Sequence, residues 1–184
     1  LNNLLNTAYN AGARTHTKSW GSSSASQQSK YNSETEDVDD RASYYDRYYN
    51  GRQGLTILFA AGNDGPNSGT VSPPATAKNI ISVGNHKNRY SGAPDVMMSG
   101  SSRGPTEDGR IKPDLVAPGG YVRSCRAQEA GDTGTATWRN TYYLEYTGTS
   151  MATPNAAGAA AMVREYLEEI AQRPSPQGAL VKAL

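Results

Sequence analysis

The stretch Gly148–Pro154 places a serine where acyl-transfer chemistry could use it. Strand-like residues 142–147 precede it and a helical pattern follows at once, so Ser150 is expected in the first turn of a helix. Pro154 is tolerated there because first-turn N–H groups have no helical partner. Those N–H groups and the positive end of the helix dipole favour an oxyanion beside the Ser150 hydroxyl. A serine that only caps the helix is the ordinary alternative.

A second candidate, Asn63, follows a continuous apolar run, Leu55–Ala60, that is typical of a buried strand. In a parallel sheet, ligands gather at the carboxyl ends of strands, which is where Ala60, Ala61, Gly62 and Asn63 would lie. The Asn63 side-chain N–H and the Ser150 backbone N–H could together hold a developing oxyanion. The ordinary alternative for Asn-Asp-Gly is a turn.

A third stretch, Ser19-Trp20-Gly21, ends the strand predicted over Arg14–Trp20. An extended peptide could pair with main-chain groups at such a position. By itself this is a weak signal, and it gains weight only beside the other two stretches.

Taken together, the motifs resemble those of subtilisin-like serine proteases. The nucleophile segment Gly148–Pro154, the stretch Ser101–Pro105 and the stretch Lys112–Gly119 occur in the family's order. The resemblance covers most of the chain, apart from two loops, 21–37 and 126–140. It implies a three-layer α/β fold with a mainly parallel sheet, and it makes residues 1–184 the carboxyl-terminal portion of one catalytic domain.

The resemblance also assigns roles, carried over residue by residue. Ser150 would be the nucleophile and Asn63 the oxyanion donor of a serine endopeptidase. Ala60, Ala61 and Gly62 would line the primary specificity pocket. The substrate-binding residues complete the set: Ser19, Trp20, Gly21 and Thr149.

One departure limits this assignment. The chain has two histidines, His16 and His86, and neither has the Gly-Thr-His neighbourhood that the family uses. The triad histidine and aspartate are therefore expected outside this chain, in a missing amino-terminal half that also supplies the first strands of the sheet. Without a base, a serine hydroxyl is a weak nucleophile, so this fragment alone is expected to be inactive.

Two alternatives to an endopeptidase follow. A catalytically inactive scaffold or peptide-binding module would keep the groove, although a pure binder needs neither Ser150 nor Asn63. A serine esterase of the α/β-hydrolase type is disfavoured, because its Gly-x-Ser-x-Gly elbow would need glycine where this chain has Ala152.

Composition excludes several partners. A net charge of +1 and the absence of a basic cluster give no support for nucleic-acid binding. No stretch is long and apolar enough to span a membrane. No signal peptide is visible, so secretion is expected from the resemblance alone. The lone Cys125 cannot form a disulfide within the chain, and a buried, structural thiol is predicted.

The periodicity of apolar residues predicts the elements that position these groups. The small-sided run 155–161 predicts a helix pressed against other backbone in a core. A loop is predicted over Gly21–Asp37 and a helix over Val38–Asn50, with Asp37 as its cap and Gly51 as its end. The other predicted elements are a helix over 1–12, strands over 14–20, 55–60, 80–84 and 115–117, and a last helix to Leu184 capped by Ser175-Pro176.

Two further expectations concern one loop. The family has a cis X–Pro bond at the position of Pro73-Pro74, so a cis peptide is predicted there. The carbonyls of this loop and the Asp114 carboxylate resemble a weak cation site, whose oxygen ligands would suit calcium or sodium. A plain capping or turn role for Asp114 is the alternative. No cofactor is required for the expected chemistry.

Overall fold

The computed structural model describes residues 1–48, 54–90, 92–127, 138–174 and 176–184. Its centre is a parallel sheet of four strands in the order β1-β2-β3-β4. The strands are β1 (Thr15–Lys18), β2 (Thr56–Ala60), β3 (Ile81–His86) and β4 (Leu115–Pro118). The four predicted strands and their parallel arrangement are thus confirmed, and β1 and β4 form the two edges of this sheet.

Helices cover both faces of this sheet, which confirms the predicted three-layer α/β fold. On β2 the side chains alternate: Ile57 and Phe59 join one apolar core and Leu58 joins the other. The first core includes residues of α1 (Asn2–Asn10) and α2 (Ser33–Tyr48), and the second those of α3 (Thr149–Glu165) and α4 (Gly178–Ala183). Every residue of β2 is buried, as a continuous apolar run requires.

Helix α2 begins earlier than predicted. It starts at Ser33, inside the expected loop, and a short 3₁₀ turn (Ala25–Gln27) lies in that loop as well. The Asn32 side chain accepts hydrogen bonds from the Thr35 N–H at 3.0 Å and hydroxyl at 2.8 Å, which is how a helix start is capped. Asp37 is therefore not the cap. Because the first turns of α2 are acidic, apolar periodicity does not reveal where the helix begins. The predicted end at Gly51 lies outside the described residues.

Helix α3 packs closely on the sheet, as its small residues predicted. Ala152, Ala156 and Ala160 are buried against it. A Cβ added at Gly119 would lie 3.1 Å from the Ala152 Cβ and 2.6 Å from the Gly148 carbonyl oxygen, so only glycine fits beside this helix. After Glu165 the chain continues in a π-helical segment, Tyr166–Ile170.

The last helix differs from the prediction at its start. α4 begins at Gly178 with Gln177 as its N-cap, two residues after Pro176. The residue before Pro176, the predicted capping serine, lies outside the described residues. None of the described helices is long and apolar enough to cross a membrane.

A small antiparallel sheet precedes α3. Its strands are β5 (Val122–Cys125), β6 (Trp138–Arg139) and β7 (Tyr143–Tyr146), in the order β5-β7-β6. Strand β7 confirms the strand predicted before Gly148, and β6 lies within the loop predicted over 126–140. Cys125 is free and exposed, so the prediction of a buried thiol was wrong. β5 is an edge strand of a largely exposed sheet, which leaves its last side chain in solvent.

Candidate active site

The carboxyl ends of β1 and β2 meet the first turn of α3 at one edge of the sheet. Residues 18 and 59 are in register across the β1–β2 pair, so the segments that follow them leave the sheet side by side. A cleft of about 250 Å³ opens there. Eight of the nine predicted site residues line it: Ser19, Trp20, Gly21, Ala60, Gly62, Asn63, Thr149 and Ser150.

Ala61 is the predicted residue that does not line the cleft. It is fully buried in the first core. Its N–H donates to the Val83 carbonyl at 2.9 Å, and its carbonyl accepts from the Ser72 N–H at 2.9 Å. Ala61 therefore holds the loop to the sheet, while Ala60 and Gly62 face the opening.

Ser150 and Ser19 exchange two hydrogen bonds across the cleft. The Ser150 hydroxyl donates to the Ser19 carbonyl at 3.2 Å, and the Ser19 hydroxyl donates to the Ser150 carbonyl at 2.9 Å. The pair joins the end of an edge strand to the first turn of a helix 131 residues later. The serine hydroxyl is thus held by a backbone acceptor, not by a basic side chain.

Asn63 is oriented by Thr149. Its Oδ1 accepts from the Thr149 N–H at 2.9 Å and from the Thr149 hydroxyl at 3.1 Å. The Gly62 N–H donates to the same hydroxyl at 3.3 Å. Within the described part of the chain the Asn63 Nδ2 has no acceptor, so its N–H groups remain available as donors beside Ser150. An amide fixed in this way can donate to an oxyanion without reorganising.

Gly62 lets the chain turn tightly beneath the cleft. Its φ of +111° is a conformation that side chains other than glycine's rarely adopt. A Cβ at this position would come within 2.7 Å of the Ser102 Oγ and 2.9 Å of the Ser72 Oγ. Any larger residue here would both strain the backbone and close the space in front of those hydroxyls.

Trp20 forms one wall of the cleft. Its ring meets that of Phe59 edge to face, at 87° with the centroids 5.5 Å apart. Phe59 is fully buried in the sheet, whereas Trp20 remains 43% exposed. The buried ring therefore anchors an exposed aromatic surface, which a substrate side chain can contact.

The two histidines lie in other surroundings than Ser150. His16 lies half-buried in β1, where burial and then the Lys18 charge lower the pKa of its imidazole. His86 ends β3, and its Nδ1 contacts the Lys87 carbonyl. Within the described residues, no hydrogen bond joins either ring to Ser150. That neither histidine is the general base stays a prediction.

The Asp114 carboxylate, which was expected to help bind a cation, pairs with two lysines. Its Oδ1 pairs with Lys182 at 2.9 Å, and its Oδ2 accepts from Lys112 at 2.7 Å and from the Ser82 N–H at 2.8 Å. Two ammonium groups thus occupy the carboxylate, and burial lowers the pKa of Lys112 to about 8. Within the described residues, no group of three or more His, Cys, Asp or Glu side chains is placed to hold a metal ion.

The cis Pro73–Pro74 bond predicted for the neighbouring loop is confirmed.

Four residues of the cleft were missed by sequence reasoning: Ser22, Ser23, Asp64 and Ser72. Asp64 directly follows Asn63, so its place beside the site was available from the sequence. Ser72 was not, because it reaches the cleft through a hydrogen bond between its N–H and the Ala61 carbonyl.

Comparisons with known proteins define the class of this chain. The model of the Subtilase family matches residues 1–183, and the chain belongs to that family. Serine protease AprX of Bacillus subtilis (strain 168) is 39% identical over 120 residues, which cover 60% of this chain and 26% of AprX.

Two solved structures show the same fold. Sphericase superposes with a TM-score of 0.61 at 26% identity, covering 97% of this chain and 49% of sphericase. The prenylagaramide maturation protease PagA superposes with a TM-score of 0.63 at 20% identity, covering 95% of this chain and 52% of PagA. The chain thus spans about half the length of these structures and about a quarter of AprX. Its family is that of serine peptidases, which hydrolyse peptide bonds in peptides or proteins.

Proposed function

We propose that this chain supplies the nucleophile and the oxyanion site of a subtilisin-like serine endopeptidase. Ser150 attacks the scissile carbonyl of a peptide or protein substrate. The oxyanion that develops accepts hydrogen bonds from the Asn63 Nδ2 and from the Ser150 N–H, whose first-turn position leaves it without an intrahelical partner. The observation that carries the proposal is the cleft, which brings eight residues from three distant stretches to one place.

The base and its orienting aspartate come from a polypeptide segment beyond this chain. Ser150 donates to a carbonyl, and a carbonyl cannot take up the hydroxyl proton during attack. The missing amino-terminal half of the catalytic domain is the partner that completes the triad. An oxyanion hole without the triad retains only about 10³–10⁴ over water, so the fragment by itself is expected to be inactive.

Substrate backbone is proposed to lie against Ser19, Trp20 and Gly21, which follow edge strand β1 and can extend its main-chain pairing. The substrate side chain then enters beside Ala60 and Gly62. The mechanism needs no metal, since a base-activated serine carries the chemistry, and a calcium or sodium site in the Pro73 loop stays a prediction. An extracellular location is proposed from the family resemblance.

An inactive scaffold or peptide-binding module is the second candidate. It is favoured by the same Ser150–Ser19 hydrogen bond, since a serine engaged by backbone is at rest. The candidates separate on one measurement, the intact mass of the full-length protein after exposure to a fluorophosphonate. A serine activated by a base forms the adduct, and an idle serine does not.

We expect one adduct on Ser150 in the full-length protein and none in its Ser150→Ala variant. We expect none in the isolated 184-residue chain. A full-length protein that is folded, as judged by circular dichroism, and yet unlabelled would overturn the endopeptidase assignment and favour the scaffold.

A further inference from the structure

At the edge of the sheet opposite the Ser150 cleft, three oxygen atoms surround the ammonium group of Lys182. Since the four strands are parallel, the amino ends of β3 and β4 lie away from the carboxyl ends that form the cleft. The Lys182 Nζ lies 2.9 Å from the Asp114 Oδ1, and it donates to the carbonyl oxygens of Ile80 at 3.0 Å and Lys78 at 3.2 Å. One side chain of α4 thus joins the segments that lead into β3 and β4.

The number and the length of these contacts suit an ammonium group. A lysine ammonium has three N–H donors, so each donor can meet one oxygen of this cluster, which consists of the Asp114 Oδ1 and the carbonyl oxygens of Lys78 and Ile80. The distances are those of N–H···O hydrogen bonds. Calcium instead binds six to eight oxygens at about 2.3–2.6 Å. The oxygen cluster therefore has the size of the group that it holds.

The charges around Asp114 disfavour a further cation. Its other oxygen, Oδ2, accepts from the Lys112 Nζ at 2.7 Å and from the Ser82 N–H at 2.8 Å. Two ammonium groups thus face one carboxylate, and these three side chains together are positively charged. A calcium or sodium ion entering here would be repelled by both lysines and attracted by a single aspartate.

The same contacts hold a helix that has little else to hold it. α4 has six residues, too few for a stable helix by itself, and its buried apolar side chain is that of Val181. The side chains of Lys182 and Asp114 are only 28% and 15% exposed, so their attraction is screened less than that of a surface pair. The Lys182 ammonium is therefore a main anchor of α4 on the sheet.

We propose that Lys182 is a built-in cation, which takes the place of the calcium or sodium ion expected beside Asp114 and anchors α4 without a free ion. If so, removing the lysine side chain while keeping the oxygen cluster should leave a site for a small free cation. Lys182→Ala opens that space, and the ammonium ion supplies the missing N–H donors. Lys182→Met removes the charge but fills the space with an uncharged side chain of similar length.

Hydrogen exchange of α4, followed by mass spectrometry in the full-length protein with Ser150→Ala, tests this proposal. The Ser150→Ala change prevents self-digestion. The chloride salts of tetramethylammonium, ammonium, sodium and calcium are compared at one pH and equal ionic strength, since tetramethylammonium screens charge but has no N–H donor. Exchange of β2 is the internal reference for the whole fold. Lys30→Ala, which removes an exposed lysine outside the cluster, is the control variant.

We expect wild-type α4 to exchange at the same rate relative to β2 in all four salts. Lys182→Ala should exchange about tenfold faster in tetramethylammonium, since it loses hydrogen bonds from a charged donor, and ammonium should restore most of the protection. Lys182→Met should exchange faster in every salt, and Lys30→Ala should behave as the wild type does.

Three results would overturn the built-in cation. Calcium or sodium that slowed exchange of wild-type α4 would show that a free ion binds there, and this result is decisive even if Lys182→Ala does not fold. A Lys182→Ala variant that exchanges like the wild type would show that the lysine does not anchor α4. A variant that exchanges faster but does not respond to ammonium would show that the oxygen cluster is not a cation site.

Discussion

The two hydrogen bonds between Ser19 and Ser150 have different consequences for catalysis. The bond from the Ser150 hydroxyl must break when a base takes the proton, whereas the bond from the Ser19 hydroxyl can persist. The second bond therefore holds the nucleophile's backbone against the strand along which substrate is proposed to lie. Under the proposed function, Ser19 is therefore a positioning residue, which acts on Ser150 through the main chain.

Ser19→Ala tests this positioning. The variant removes a neutral hydrogen bond, which contributes about 0.5–1.5 kcal/mol, so the rate of fluorophosphonate labelling should fall about two- to tenfold. Ser19→Thr keeps the hydroxyl and should restore most of the rate. The measurement is the second-order labelling rate of the full-length protein. An alanine variant that labels at the wild-type rate would show that the bond does not position Ser150.

Asn63 should matter more than Ser19, because the proposed function places its amide beside the charge that develops. Loss of such a donor lowers turnover about 10²–10³-fold, a figure that was itself measured in subtilisin. Asn63→Ala is therefore expected to lower kcat of the full-length enzyme by that factor with little change in KM. Asn67→Ala, four residues along the same loop but outside the cleft lining, is the control. A change confined to KM would mean that Asn63 binds substrate and does not stabilise the transition state.

At the scale of elements, the site depends on how closely α3 approaches the sheet. Ala152 is fully buried, with its Cβ 3.1 Å from where a Cβ at Gly119 would lie, and Ala161 lies on the exposed side of the same helix. Ala152→Leu adds volume at this close approach and should lower the free energy of unfolding by about 1–3 kcal/mol. Ala161→Leu makes the same chemical change in solvent, with an expected effect within about 0.5 kcal/mol. Urea denaturation measures both, and equal effects would contradict close packing of α3.

The contacts of Asp114 join β4, β3 and α4, and they should make stability depend on pH. The pKa of Lys112 is lowered from 10.5 to about 8 by burial, so the unfolded chain binds more protons than the folded one between these values. The stability linked to Lys112 is complete above pH 10.5 and is lost as pH falls to 8. The difference is at most about 3 kcal/mol.

Comparison with Lys112→Met isolates this dependence from the other titrating groups. We expect the free energy of unfolding of the wild type, minus that of the variant, to increase between pH 8 and pH 10.5. Denaturation at both pH values measures it. A difference that stays constant would show that Lys112 is charged in the folded protein across this range.

The sequence predicts these elements unevenly, for physical reasons. Apolar periodicity locates β2 and α1 because the residues that these elements bury are apolar and recur at regular spacing. It misses the start of α2, where Ser33, Glu34 and Glu36 form an acidic first turn and the Asn32 side chain supplies the cap. The burial predicted for the lone Cys125 is wrong, because the burial of a strand residue depends on which sheet the strand joins.

The candidate site, like the fold, could be predicted only in part from the sequence. Ser150 and Asn63 were predicted from motifs and strand ends, and the structure brings them to one cleft. Their coupling through the Thr149 hydroxyl was not predictable, because it joins residues 86 apart in the chain. Tertiary hydrogen bonds of this kind leave no periodic signal.

At the scale of the molecule, the outer side of α3 and its π-helical extension is not covered by the described residues. Met162 and Ile170 are each 70% exposed and Tyr166 is 55% exposed, and spacings of four residues place them along one side of the helix. Strand β1, which ends at Lys18, is an edge strand of the sheet. Since the chain spans about half the length of the structures that share its fold, we expect the remaining half to cover the helix and pair with the strand.

Oxidation of Met162 tests whether the remaining half packs on the outer side of α3. Its thioether should be oxidised readily by peroxide in the isolated chain, and slowly in the full-length protein if the other half packs on α3. Peptide mass spectrometry after a timed exposure measures the two rates. Met97, which is partly buried and pairs with His86 at the end of β3, is the internal reference. We expect the ratio of Met162 to Met97 oxidation to fall at least several-fold in the full-length protein. An unchanged ratio would show that the remaining half does not pack on the outer side of α3. The proposed base would then have to approach Ser150 from another side.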